Sequence, residues 1–251
     1  MAASRPVVLF DWGETLVRIP GMVHDPAAHL ACARSAFHAT IVPCLSGAGR
    51  AVEEAAFMST YERIAREQMR RSAETLREHR FEDRLRITLE TLAHAGVVAD
   101  DDALAFACHL GDRVLDGLTL EHDDVPRVVR ELHRNFRLGI VSNYPFGPVV
   151  TGSLERLGIA DCFEHVIVSG EVGWSKPHPE IFALALAAMD AEPARTIFVG
   201  DNPVADMKGA KALGMATAWY SVGRPGPAPA EADFSFDRHD ALVPWCEARL
   251  Q

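Results

Sequence analysis

The chain has no long hydrophobic run, no clustered cysteines and almost no lysine. Its longest apolar stretch, Ile181 to Met189, is about half of the ~20 residues that a membrane-spanning helix requires. Met1 to Phe10 carries one arginine and a single short apolar run, so neither a span nor a signal peptide is expected. The 5 cysteines (Cys32, Cys44, Cys108, Cys162, Cys246) are scattered without any C-x-x-C pair. That spacing excludes a zinc knuckle or redox pair and predicts buried thiols in a reducing cytoplasm. The formal charge of -10, with no basic patch to oppose it, speaks against nucleic acid and against an anionic membrane surface as partners. What is present is ordinary globular composition: 251 residues, 48% hydrophobic and 24% charged.

Pro6 to Phe10 is a short continuous apolar, β-branched run of the kind that fills a buried parallel strand, and it stops abruptly at Asp11. From about Pro20 to Glu121 the pattern becomes helical, opening on Asp25 as an N-cap before Pro26. Within it Tyr61 to Glu90 is densely charged with mixed signs, including Glu62 to Arg66 and Glu67 to Arg71 at i,i+4. Phe81, Leu85, Leu89 and Leu92 draw one apolar stripe there, and Phe106, Leu110 and Val114 another. The charge run reads as a solvated helix face, whose arginines meet a ligand only if one turns inward.

After Asp123 strands and helices alternate. Strands are expected at Phe136 to Val141, Val166 to Ser169, Thr196 to Gly200 and Ala216 to Ser221. Helices are expected up to Gly158, at Glu180 to Met189 and at Ala205 to Leu213, and Arg224 to Pro229 reads as a surface loop. This alternation predicts an α/β fold, a doubly wound parallel sheet of Rossmann-like type that the first strand must join. Residues 1–19 and 122–251 would form that core, and 20–121 an inserted helical unit.

Polar residues cluster where these strands end: Asp11, Ser142 with Asn143, and Asp201, with Asp206 one turn further. In a doubly wound sheet those ends share one edge, where ligands bind. Carboxylates gathered there repel one another unless a cation neutralises them, and an all-oxygen set favours Mg2+. Lys176, one of three lysines (with Lys208 and Lys211), stands before Pro177. Its ammonium could hold a nucleophilic carboxylate ionised while contacting a phosphoryl group, and Ser142 could donate to a phosphate oxygen. These parts describe phosphoryl transfer to Asp11.

Asp11-Trp12-Gly13-Glu14-Thr15-Leu16, Val141-Ser142-Asn143, Lys176-Pro177 and Gly200-Asp201 through Asp206, in this order, resemble the four motifs of the haloacid dehalogenase-like (HAD) hydrolase superfamily. The resemblance implies that the helical insertion is a cap over the crevice and that small phosphorylated metabolites are the substrates. It further implies that Asp11 becomes an aspartyl-phosphate, with Mg2+ bound by Asp11, the Gly13 carbonyl and Asp201. Asp206 would support the metal or orient Lys176. Trp12, Gly13, Ser142, Asn143 and Lys176 would contact substrate, with Trp12 and Trp174 as pocket walls.

One position departs from the family pattern. Its phosphatases usually carry a second aspartate, an acid and base, where this chain has Gly13, with Glu14 one residue away. Two alternatives therefore stand beside the Mg2+-dependent phosphatase: a weakly catalytic phosphate- and metal-binding regulatory protein, and a metal-independent 2-haloacid dehalogenase, against which Asp201 argues. His24, His29 and His38 near the first cap helix are expected to be surface residues.

Overall fold

The computed structural model describes residues 5–19, 26–223 and 226–250. His24, Asp25, Arg224 and Pro225 lie outside them, so the expected Asp25 cap and the start of the expected Arg224 to Pro229 loop are not described. β1 (Val7–Phe10) leads to the short β2 (Val17–Arg18) and then to helices α1 (Pro26–Ala36), α2 (Val42–Gly47), α3 (Glu54–Thr75), α4 (Phe81–Thr91) and α5 (Asp100–Gly117). The chain returns through β3 (Thr119–Leu120), which pairs antiparallel with β2. It continues as α6 (Val125–Asn135), β4 (Arg137–Ser142), α7 (Gly147–Arg156), β5 (Phe163–Val168), α8 (Ser169–Val172), α9 (Pro179–Ala188) and β6 (Thr196–Gly200). It ends with α10 (Gly209–Ala212), β7 (Ala216–Tyr220), β8 (Phe234–Phe236) and α11 (Leu242–Leu250).

The main sheet has the order β5-β4-β1-β6-β7-β8, and every pairing in it is parallel. The chain runs outward from β1 to one edge and then returns to build the other side, so β1 flanks the point where the winding reverses. Phe10 lies beside Ile140 on one neighbour and Val199 on the other, which brings the ends of β1, β4 and β6 level. Both faces of β1 are covered. Val8 and Phe10 join a core with Val128 and Leu132 of α6, Val150 of α7 and Leu242 of α11, while Val7 and Leu9 pack with Ile181 and Phe182 of α9 and Ala210 of α10.

The first of these cores continues into the helical insertion, where Phe37 stacks on Phe57 at 4.3 Å and Phe106 meets Tyr61 edge-on at 5.8 Å between ring centroids. Phe81, Leu85 and Leu89 are buried, as are Phe106, Leu110 and Val114, in the two stripes read from the sequence. The charged stretch is broken at Leu76 into two helices, and both expected pairs form, Arg66 with Glu62 at 2.6 Å and Arg71 with Glu67 at 2.8 Å.

Several expected bounds are corrected. β5 begins at Phe163 rather than Val166, because it is an edge strand that tolerates the exposed Glu164 and His165. The single helix expected from Ala205 to Leu213 is instead a wide turn, Pro203–Lys208, followed by α10. Asn202 drives that change, since its side-chain oxygen accepts the Val204 and Ala205 amides and its carbonyl accepts Met207 N five residues on. α6, whose buried Val125, Val128, Val129 and Leu132 follow helical spacing, was legible but absent from the expected elements, as were the short β8 and α11. Cys162 and Cys246 are buried as expected, whereas Cys108 is exposed. Among the described residues no helix is long and apolar enough to cross a membrane.

Trp12 is fully buried, donates from Nε1 to Ser153 Oγ on α7 at 2.8 Å and meets Tyr144 edge-on. It therefore staples the loop after β1 to the helix layer. Trp12→Ala is expected to cost about 3–5 kcal/mol in equilibrium urea unfolding; a loss below about 1 kcal/mol would contradict that role.

Candidate active site

Asp11 is the first residue past β1, and its amide still donates to Val199 O at 2.8 Å, which extends the ladder with β6 by one rung. Its carboxylate is thereby fixed at the carboxyl edge. Oδ1 accepts from Lys176 Nζ at 2.6 Å and Oδ2 from Thr15 Oγ1 at 3.2 Å. Lys176 Nζ also reaches Asp206 Oδ1 at 2.8 Å, so one buried ammonium bridges two buried carboxylates. Thr15 Oγ1 stands 3.4 Å from Asp201 Oδ1 as well, and the carboxylates of Asp11, Asp201 and Asp206 each offer an oxygen within 4.8 Å of the others. Asp11 thus meets Asp201 and Asp206, which come from one remote segment after β6, at the edge where the strand ends were expected to converge.

Asp206 reaches this cluster because Gly200 has no side chain: a Cβ there would run into the Asp206 carboxylate. Asp206 Oδ2 accepts the Asn202 amide at 2.9 Å. Burial, with the Asp11 charge adding to it, pushes the Asp206 carboxyl up to about 6 despite the nearby Lys176. For Lys176 burial alone would lower the pKa, but Asp11 and Asp206 overcome it and hold the ammonium above its ordinary value.

Lys176 lies in the loop between α8 and α9, and Asn143 sets its position. Asn143 Oδ1 accepts Lys176 N at 2.7 Å and Nδ2 donates to Lys176 O at 2.9 Å, so the amide side chain clamps that backbone. Ser142 is buried at the end of β4, next to this clamp.

A cavity of about 1080 Å3 opens above Lys176, Asn143 and Asn202 and is roofed by α1, α3 and α4 of the insertion. The roof is docked to the loop that carries Lys176. Ser175 N donates to Leu76 O at 2.9 Å, Ser169 Oγ donates to Glu78 Oε2 at 2.7 Å, and the Arg77 guanidinium lies 3.3 Å over the Trp174 ring.

Trp12 and Trp174, expected as walls, are not among the residues lining this cavity: the first belongs to the core and the second to the docking contact. His38 is a surface residue paired with Glu54, but His29 lines the cavity, and burial followed by the charge of Arg84 pushes its imidazole down to about 4. It is neutral at pH 7.

At Gly13 a Cβ would lie 2.6 Å from Ile19 Cδ1, so the place of the absent aspartate is taken by an isoleucine that lines the cavity. Glu14 does not replace it. Its Oε1 accepts the Ile19 amide at 3.1 Å, in a turn where Glu14 itself has φ 57. Two contributors escaped the sequence reading. Thr15 was quoted within the first motif without a role, and His239 donates from Nε2 to Thr15 O at 2.7 Å, since a carbonyl can only accept. Burial lowers the His239 pKa, and nothing in its local sequence marks it.

Three carboxylates and one ammonium leave a deficit of positive charge, and every available donor is a hard oxygen, so the cluster fits a divalent cation of the Mg2+ kind. A parallel sheet with the acidic cluster at its switch point gathers oxygen donors from separate strands at the edge where ligands bind in such sheets. A profile for haloacid dehalogenase-like hydrolases matches residues 6–214, and the chain belongs to that family.

It is 42% identical over 97 residues to a glyceraldehyde 3-phosphate phosphatase of Pyrococcus abyssi, covering 38% of this chain and 39% of that protein. It is 42% identical over 77 residues to a phosphoserine phosphatase of Thermus thermophilus, covering 30% of this chain and 31% of the relative. These matches span less than two fifths of the length of either relative. A 2-haloacid dehalogenase structure from Pseudomonas syringae superposes with TM-score 0.67 at 24% identity, covering 99% of this chain and 100% of that one, a likeness of fold.

Lys176→Met would leave Asp11 and Asp206 buried without their shared counter-charge. In metal-free protein it is expected to lower unfolding stability by about 3–5 kcal/mol, measured by urea denaturation in the presence of chelator; an unchanged midpoint would contradict the ion-pair assignment.

Proposed function

We propose that the protein is a Mg2+-dependent phosphatase of small phosphorylated metabolites that works through an aspartyl-phosphate on Asp11, with residues 20–121 as the cap of a core formed by 1–19 and 122–251. The observation that carries this reading is the contact of Lys176 Nζ with both Asp11 and Asp206, while Lys176 itself lines the cavity beneath α1, α3 and α4. Asp11, Asp201 and the Gly13 carbonyl would hold the cation, which when bound neutralises charge on the phosphoryl oxygens and steadies the Asp11 carboxylate. Asp206, with both oxygens engaged by Lys176 and the Asn202 amide, serves to orient Lys176 beside that cation.

An Asp11 oxygen attacks phosphorus and the ester oxygen leaves with its electron pair. Lys176 and Ser142 receive charge on the phosphoryl oxygens, while Asn143 holds Lys176 in register. Water then attacks the phosphorus of the acyl phosphate, which releases phosphate and restores Asp11. No acid stands at position 13 to protonate the departing oxygen, a contribution of about 10²–10⁴-fold where present. Esters whose leaving groups are weakly basic are therefore the better substrates.

Asp11→Asn is expected to abolish phosphate release, and chelator to suppress it reversibly. Wild-type kcat/KM for p-nitrophenyl phosphate should exceed that for a sugar phosphate; equal values would count against the missing acid. Binding of phosphate mimics with no turnover across a metabolite panel would instead favour the regulatory alternative that the tied-back Glu14 leaves open. A side chain at position 13 meets Ile19 Cδ1, which must shift to admit it. Gly13→Asp combined with Ile19→Ala should therefore raise kcat on alkyl phosphates, by about tenfold or more, over Gly13→Asp alone; no difference between the two would refute the steric account.

A further inference from the structure

The far end of the cavity holds a cation with no counter-ion. Along α3 and α4 the arginines Arg66, Arg70, Arg71, Arg80 and Arg86 each pair with a neighbouring carboxylate and stand toward solvent. Arg84 differs. It is 6% exposed, and among the described residues no carboxylate lies within ion-pair distance of it. Its guanidinium lies between the rings of Tyr61 and Phe81, 5.6 and 5.4 Å from their centroids, and its Nε donates to Gln68 Oε1 at 2.9 Å.

Near it are further buried polar atoms without a hydrogen-bond partner among the described residues: Gln68 Nε2 and His29 Nε2. Gln68 is only 4% exposed. Arg84, Gln68 and His29 line the same cavity as Lys176 and Asn143, so the unpaired group and the reacting end share one space. A buried charge without a partner is strongly unfavourable, and an arrangement that keeps one beside idle donors is explained by an acceptor that arrives with the ligand.

We propose that Arg84 and Gln68 bind a carboxylate at the end of the substrate remote from the phosphoryl group, so that the substrates are carboxylated phosphoric esters with an apolar middle. This inference rests on the phosphatase reading for the identity of the other end only. A carboxylate fits because its single charge balances one guanidinium, and its two oxygens match the planar fork of N–H groups. A second phosphoryl group would bring two charges to the one guanidinium held between aromatic rings, in a roof where Arg66 is already paired with Glu62, and Glu74 and Glu78 add negative charge. The middle of the ligand would run along apolar side chains such as Phe81, Ile19 and Leu76, which line the same cavity.

The test is a series of paired esters: meta- and para-carboxyphenyl phosphate against the matching carbamoylphenyl phosphates, and ω-carboxyalkyl phosphates of increasing length against their amides. In the wild type at least one carboxylate should exceed its amide in kcat/KM by about 10- to 100-fold, chiefly through KM, as expected for a hydrogen-bonded charge pair. In Arg84→Gln that ratio should fall close to one.

Independently of turnover, para-hydroxybenzoate should bind the wild type saturably in calorimetric titration and lose that binding in Arg84→Gln. Arg84→Met should melt no lower than wild type, because it removes an unpaired buried charge. Four results would overturn the proposal: no carboxylate preferred anywhere in the series, a preference that survives Arg84→Gln, a bisphosphate ester preferred over every carboxylate, or loss of folding in both Arg84 variants. Arg84-dependent binding of para-hydroxybenzoate without hydrolysis of any ester would leave this site standing and remove the phosphatase reading. Hydrolysis without carboxylate preference would do the reverse.

Discussion

A single ammonium, that of Lys176, is buried between Asp11 and Asp206 at the carboxyl edge of the sheet, and much of the molecule exists to keep it there. Bringing like charges together out of water is unfavourable unless cations are held among them at close range. Each supporting contact answers that demand. Asn143 clamps the lysine backbone, Gly200 makes room for Asp206, the level ends of β1, β4 and β6 align the donors, and His239 steadies the Thr15 loop from the opposite end of the chain.

The roof depends on the same loop. The segment that carries Ser175 and Lys176 is hydrogen-bonded to Leu76, and Ser169 and Ser175 both donate to Glu78, so the helical insertion and Lys176 share an anchorage. Placement of the insertion over the crevice is thus linked to the position of the ammonium. Charge in this molecule is arranged on two levels: crowded and short of positive charge at the sheet edge, and a single buried guanidinium at Arg84 above it.

Particular residues show where sequence reading succeeds. Asp11, Lys176, Asp201 and Asp206 were found because strand-end polarity in an α/β pattern has few structural outcomes, and because order and spacing resemble a known set of motifs. Trp12 was misplaced as a pocket wall, since adjacency in sequence to Asp11 says nothing about which way an indole turns once α7 packs beneath it. β5 began too late in the reading because an edge strand does not need the unbroken apolar run of a central one. Glu14 could be placed only by its bond to the Ile19 amide, and Thr15 and His239 acquire their roles through contacts that join remote segments.

The chain's own residue order determined the alternation of strand and helix, the doubly wound sheet and the list of oxygen and nitrogen donors at its edge, because periodicity and strand-end chemistry are local properties. Tertiary structure alone decided which arginine of a charged helical run loses its partner. It also decided that Ile19 packs against the place a side chain at position 13 would take, and that His239 supports the first loop. Those outcomes depend on which side chains meet after packing, and spacing along one chain does not encode the distance between two helices or the direction in which a buried group faces.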